Sequence, residues 1–341
     1  MEISKQELRT ALNLLKPALS KKDMIGNANC FVFKNGYVST FNDELWFNHP
    51  IEGIDKTFAI ESDEILALLD KTKDETIILD LTDDLLIFQS GKAKAGFKLV
   101  NADFPVDTSI FENQLFYDLP EDFQTAIKFA AMSASDDLTN PILNCVSIKS
   151  DGTVSGTDNF RLANWKLDTE ELPFDDLLIP ADSVLKILTI QPTSFMVDCD
   201  WIHFKNADNI IASCRLVSET FPDVSKALSK LGTGTVVVFP DDMNTILSRA
   251  AIFSDNEKVN QTVTITRKGK YIIVDSESSV KGFFKERVLM ESDSDDFTFI
   301  INPTFLSDIL KRSKECVLES NKKMISFRGD NWVYMAMLKI V

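Results

Sequence analysis

Apolar positions along the chain follow two periods in alternation, one helical and one extended, and the alternation recurs three times. In the segment Glu7-Leu8-Arg9-Thr10-Ala11-Leu12, apolar residues fall at Leu8, Leu12 and Leu15, the i, i+4, i+7 spacing of one helix face. The same order of acid, apolar, polar, Thr and two apolar residues returns at Asp122–Ile127 and Asp242–Leu247. There the stripe is Phe123, Ile127, Ala130 and Met243, Leu247, Ala250. A second helix is predicted after a short apolar strand in each case, with stripes Ile60, Ile65, Leu69; Ile179, Val184, Leu188; and Ile301, Leu306, Leu310. Ser62, Asp182 and Asn302 or Thr304 stand where helix caps belong. Alternating segments such as 76–81, 194–198 and 324–327 predict strands. Lys34-Asn35-Gly36, Ser150-Asp151-Gly152 and Lys268-Gly269-Lys270 predict hairpin turns between them.

The two markers keep one period. Thr10, Thr125 and Thr245 are 115 and 120 residues apart, and Ile60, Ile179 and Ile301 are 119 and 122 apart. The fold class expected is therefore α+β: three tandem copies of a unit with two helices on antiparallel sheet, spanning 1–117, 118–234 and 235–341. Proline-bearing acidic connectors near Pro120 and Pro240 fall at the joins.

Composition narrows the chemistry. With 44% hydrophobic and 26% charged residues the chain is of ordinary globular type. It begins without an apolar leader, and no stretch reaches the ~20 apolar residues needed to cross a bilayer. A cytoplasmic protein with no membrane partner is expected, its five scattered cysteines unpaired. Only His49 and His203 are present, and no Cys-x-x-Cys or His-x-x-His occurs, so neither a metal nor any other cofactor is expected. Gly232-Thr233-Gly234-Thr235 lacks the Gly-Lys-Ser ending of a phosphate loop and reads as a linker. The acidic run at 291–296 reads as a solvated loop. No serine has a histidine relay and no paired carboxylates have further partners, so the chain is expected not to be an enzyme.

A formal charge of −16 argues, by itself, against nucleic acid. The local distribution qualifies that. Residues 1–22 carry Lys5, Arg9, Lys16, Lys21 and Lys22 against two acids, and Lys5, Arg9 and Lys16 lie opposite the leucine stripe. Lys128 and Lys186 mark the helices of the second copy, Lys311 and Arg312 the second helix of the third. Either these are ordinary solvated faces, or they form a surface aimed at phosphates with the acidity placed elsewhere.

On Ala102-Asp103-Phe104-Pro105, Thr157-Asp158-Asn159-Phe160-Arg161-Leu162, Phe221-Pro222-Asp223, Arg249-Ala250-Ala251-Ile252 and Val333-Tyr334-Met335-Ala336-Met337, in that order on a threefold repeat, the chain resembles the bacterial DNA polymerase sliding clamp, the β subunit family of DNA polymerase III. The resemblance implies the DNA clamp fold and a head-to-tail homodimer closing as a ring around double-stranded DNA, without sequence preference. It implies Phe97, Leu99, Val288 and Leu289 at the dimer interface. It also implies a processivity role: a peptide-docking groove tethers the replicative DNA polymerase, the clamp loader and other clamp-motif proteins. By position, that groove uses Leu143, Thr157, Phe160, Arg161, Leu162, Pro222, Lys226, Ala227, Val333, Met335 and Met337, with Arg161 and Lys226 orienting the peptide. Two departures stand out. The family usually has Gly-His where this chain has Asn159-Phe160, and Met-Pro-Met where it has Met335-Ala336-Met337. The alternative is a non-enzymatic repeat scaffold that assembles proteins without encircling DNA.

Overall fold

The computed structural model describes residues 1–20, 28–100, 108–111, 113–254, 261–290, 295–320 and 323–339. Among them are seven helices: α1 Lys5–Leu15, α2 Ser62–Lys71, α3 Phe123–Ala131, α4 Ala181–Ile187, α5 Ser225–Leu228, α6 Met243–Ile252 and α7 Pro303–Leu310. Contacts divide the chain into two compact units, Met1–Glu121 with Ile179–Ser218, and Asp122–Leu178 with Glu219–Val341. The segment 118–234, expected as the second copy, thus contributes α3 and its strands to one unit and α4 and its strands to the other.

The first unit holds a sheet ordered Glu2–Ser4, Thr76–Leu81, Leu85–Ser90, Ala93–Lys98. Its longer sheet runs Phe58–Glu61, Cys30–Lys34, Tyr37–Phe41, Leu45–Pro50, Ile211–Arg215, Trp201–Lys205, Ser194–Asp198, Tyr117–Asp118. In the second unit, Cys145–Ile148, Thr153–Thr157, Arg161–Lys166, Trp332–Met337, Met324–Arg328, Glu315–Glu319 and Gly234–Val238 follow one another in the same pattern. A four-stranded sheet there is ordered Gly282–Leu289, Tyr271–Ser278, Val263–Lys268, Phe297–Ile301. The strands named in the two long sheets pair antiparallel with their neighbours. Each long sheet is closed at its middle by strands distant in sequence: Asn48 opposite Ile211 in one, Leu162 opposite Met335 in the other.

The helices form where their apolar stripes can be covered. Leu8, Leu12 and Leu15 are fully buried, Ser4 accepts a hydrogen bond from the Glu7 N–H at 3.4 Å, and Pro17 ends the helix in a 3₁₀ turn. Asn302 caps α7 through the Thr304 N–H at 2.9 Å, with Pro303 in the first turn. Ser62 and Asp182 do not cap. Their strands run straight into the helices, so Glu61 and Pro180 take the cap positions. Ser62 instead donates to Asn29 at 2.7 Å, and Asp182 pairs with Lys186 at 2.6 Å.

The predicted turns appear where φ must be positive: Asn35 and Gly36 at 53° and 77°, and Gly152 at 82°. The expected linker Gly232–Thr235 is only half a linker, since Gly234 and Thr235 begin a strand opposite Glu319 and Leu318. A side chain at Gly234 would collide with the Leu318 carbonyl, so the pairing requires glycine there.

Candidate functional site

In the second unit an apolar cleft of about 320 Å³ opens on the sheet surface. Its floor is Leu162, Met324 and Met335, brought together because Leu162 and Met335 are opposite each other while Met324 pairs with Met337. Its wall is the segment around α5, whose Val224, Ala227, Leu228 and Leu231 pack on that floor. Pro222 and Asp223 turn the chain into α5. The Asp223 carboxylate accepts the Ser225 N–H at 3.0 Å, and its hydrogen bonds to Ser225 hold its pKa below the usual carboxylate range. The far end of the wall is tied down by Glu319, a buried carboxylate. It accepts the Gly232 N–H at 2.9 Å, the Ser326 hydroxyl at 2.8 Å and the Arg328 guanidinium at 2.6 Å.

The rim is the turn 157–161. Asp158 accepts backbone N–H bonds from Phe160 at 3.0 Å and Arg161 at 2.9 Å, and Thr157 accepts that of Asn159 at 3.2 Å. Asn159 sits at φ 71°, in the left-handed region, where asparagine is among the few residues besides glycine that are tolerated. Phe160 is thereby presented half-exposed beside the cleft, opposite the exposed Met337, whose N–H bonds the Phe160 carbonyl at 2.8 Å. Ala336 is buried and paired on both sides, with Arg161 and Ile325.

Of the residues expected in the groove, Thr157, Phe160, Arg161, Leu162, Pro222, Ala227, Met335 and Met337 line this cleft. Leu143 is buried and Val333 half-buried away from its lining, and Lys226 is exposed on α5. Arg161 is turned to its own unit. Its guanidinium meets Asp158 and Asp308, each at 2.9 Å, and lies 4.6 Å over the Phe305 ring. Met324, Val224, Lys230 and Lys323 also line the cleft and escaped sequence reasoning. Met324 alone carried a usable signal, as the first residue of a recognised alternating strand.

The basic residues fall into distinct settings. Arg9 pairs with Asp70 at 2.8 Å, Lys186 with Asp182, and Lys311 with Asp308 at 3.3 Å. Lys5 donates to the Thr72 carbonyl at 3.2 Å, while Lys16 and Lys128 are exposed. Arg312 stands over three rings, Trp165 at 4.6 Å, Trp332 at 5.0 Å and Phe129 at 5.3 Å, and burial lowers its pKa. Lys21, Lys22 and the motif 102–105 lie outside the described residues. Phe97 is half-buried on the edge strand Ala93–Lys98, and Leu99 makes a lone bridge to Ile60 just beyond it. Val288 and the exposed Leu289 end the edge strand Gly282–Leu289. Among the described residues no group of three or more His, Cys, Asp or Glu side chains could hold a metal ion, and no helix is long and apolar enough to cross a membrane.

Comparison with known proteins gives a single theme. No family model matches the chain. The β sliding clamp of Proteus mirabilis is 23% identical over 250 residues, 70% of this chain and 67% of that protein. That of Chlamydia pneumoniae is 27% identical over 226 residues, 62% of this chain and 60% of its own length. The β subunit of Streptococcus pyogenes DNA polymerase superimposes with a TM-score of 0.86 at 20% identity, covering 100% of this chain and 99% of that one. A Pseudomonas aeruginosa sliding clamp solved bound to griselimycin superimposes at 0.83 with 15% identity, covering 100% and 99%. Over its whole length, the chain has the DNA clamp fold of the bacterial β sliding clamps.

Proposed function

We propose that the protein is a DNA sliding clamp, a non-enzymatic processivity factor that encircles duplex DNA and docks the replicative polymerase, a clamp loader and other clamp-motif proteins. The observation that carries this reading is the apolar cleft of Leu162, Met324 and Met335, walled by α5, on a clamp fold. A cleft with a methionine floor accommodates several short peptides, as a shared docking site must. With Arg161 held by two carboxylates, the exposed Lys226 and Lys230 would meet acidic positions of a peptide.

The three-copy division at 1–117, 118–234 and 235–341 is part of this reading. It is supported by the common strand order of the two long sheets and by matching side-chain pairs: Ser39 donates to Asn48, and Ser155 to Asn164. Ring closure would join the edge strands Ala93–Lys98 and Gly282–Leu289 of two chains, because among the described residues each carries one unpaired edge. Phe97, Leu99, Val288 and Leu289 would lie along that seam, with Phe283 exposed at its far end. DNA would be held weakly by Lys5, Arg9, Lys16, Lys21, Lys22, Lys128, Lys186, Lys311 and Arg312 through salt-sensitive phosphate attraction. Topology, not grip, would retain it, in the cytoplasm with the replicating DNA.

One observation favours the scaffold alternative. Arg9, Lys186 and Lys311 already have carboxylate partners, which reduces the charge offered to phosphates. A loading experiment separates the readings. Protein loaded on nicked circular DNA should stay bound through gel filtration and be lost when the circle is cut. Equal loss from circular and linear DNA would refute encirclement.

A further inference from the structure

The first unit has its own recess on the long sheet, of about 190 Å³, lined by Tyr37, Asn48, Phe111, Phe116, Lys205 and Ile211, with Asn209 at its edge. It is a polar recess under an aromatic roof. Phe111 stacks on Trp46 at 4.9 Å and meets His203 edge-on at 5.0 Å, and Lys205 lies 4.2 Å from the Phe116 ring centroid. Asn48 Nδ2, which lines the recess, has no hydrogen-bond partner among the described residues, and neither have Trp46 Nε1 and His203 Nε2 behind Phe111. Asn48 is 1% exposed, and its oxygen is already taken by Ser39, so the amide has only its donor side to offer the recess. Among the described residues that line the recess none is acidic. A buried amide donor such as Asn48 Nδ2 is costly to leave unsatisfied.

The equivalent positions of the second unit offer a comparison. Along the matching sheet, the row Asn48, Ile211, Lys205 corresponds to Asn164, Val333, Arg328. The row Trp46, Ser213, His203 corresponds to Leu162, Met335, Ser326. In the second unit the chain supplies its own carboxylate, Glu319, to Ser326 and Arg328. In the first unit the same register puts Asp198 where Glu319 stands, but Asp198 is exposed, and among the described residues no lining side chain supplies a carboxylate to Lys205 and Asn48.

We propose that the recess roofed by Phe111 and Phe116 is a binding site for a carboxylate from outside the chain, with Asn48 Nδ2 and Lys205 Nζ as its donors and the two phenylalanines covering the group that bears it. A monoanion fits better than a phosphate. One ammonium and one amide match a single negative charge, and the walls are otherwise aromatic or apolar. The burial that keeps His203 neutral, its pKa lowered to about 4, leaves Lys205 as the cation of the recess. The carboxylate could belong to a small free acid or to a peptide.

The test uses the full chain and the indole N–H resonance of Trp46, assigned with a Trp46→Phe variant. Acetate and benzoate should each produce a saturable shift, whereas chloride at matched ionic strength should not. Lys205→Gln, on a partly exposed side chain, should keep the fold by circular dichroism and weaken the carboxylate affinity about tenfold. An acetylated dipeptide acid should bind and its amide should not. If the dipeptide acid exceeds acetate and benzoate tenfold, the site takes a peptide-borne carboxylate; the reverse order assigns it to a free acid. The proposal is overturned by the absence of a saturable shift, by phosphate binding better than every carboxylate, or by unchanged affinity in Lys205→Gln.

Discussion

Replacing Arg161 with methionine probes how the cleft rim is held. The guanidinium bridges Asp158 and Asp308 at 2.9 Å each, and the side chains are 11%, 13% and 24% exposed. Breaking a buried pair by removing one partner costs roughly 3–5 kcal/mol, because it strands the remaining charge. Two features place this case at the lower end. Asp158 would keep two backbone N–H bonds, and Asp308 would keep Lys311 at 3.3 Å. Methionine also retains aliphatic contact with Phe305.

The expected cost of Arg161→Met is therefore about 3 kcal/mol. Asp308→Asn leaves the Asp158 pair intact and should cost about 1 kcal/mol. The double variant should cost less than the sum by at least ~1 kcal/mol, since the stranded Asp308 charge is gone. Because the chain has two units, hydrogen exchange of the strands Arg161–Lys166 and Trp332–Met337 is the appropriate assay. A loss of about 3 kcal/mol accelerates their exchange roughly a hundredfold. Acceleration below about threefold in Arg161→Met, or strict additivity in the double variant, would refute the reasoning.

Two further outcomes are expected. His203 is buried and its pKa falls from 6.5 to about 4, so the unfolded chain binds more protons between those values. Its stabilising contribution is complete above pH 6.5 and is lost as the pH falls towards 4, by roughly 3 kcal/mol. His203→Gln should remove that part of the pH dependence; identical stability profiles of variant and parent would contradict it. Gly156 faces the Ala130 carbonyl of α3 so closely that a Cβ would collide with it. Gly156→Ala should cost about 2 kcal/mol or more by pushing α3 off its strand, and an unchanged Tm would show that the helix can yield.

Much of the fold is legible in the sequence because its causes are local. The stripe at Leu8, Leu12 and Leu15 sets α1, alternation sets the strands, and Asn35-Gly36 sets a hairpin that requires positive φ. The repeat of these patterns gives the architecture, since each copy must bury the same faces. Helix starts are less legible. A cap depends on whether the preceding strand leaves room for it, as at Glu61 and Pro180.

The site is legible only in part. The motif 157–162 and the methionines at 335 and 337 are visible as residues, but their meeting depends on a strand pairing across more than a hundred positions. Nothing local announces that Met324 completes the floor, or that the Arg161 guanidinium pairs with Asp308. The recess of the first unit is harder still. Asn48, His203 and Lys205 are unremarkable in sequence, and they meet only because three adjacent antiparallel strands align them beneath Phe111 and Phe116. Local sequence determined which faces are apolar and where the chain turns. The long-range register of the sheets decided which polar groups meet a partner and which await one.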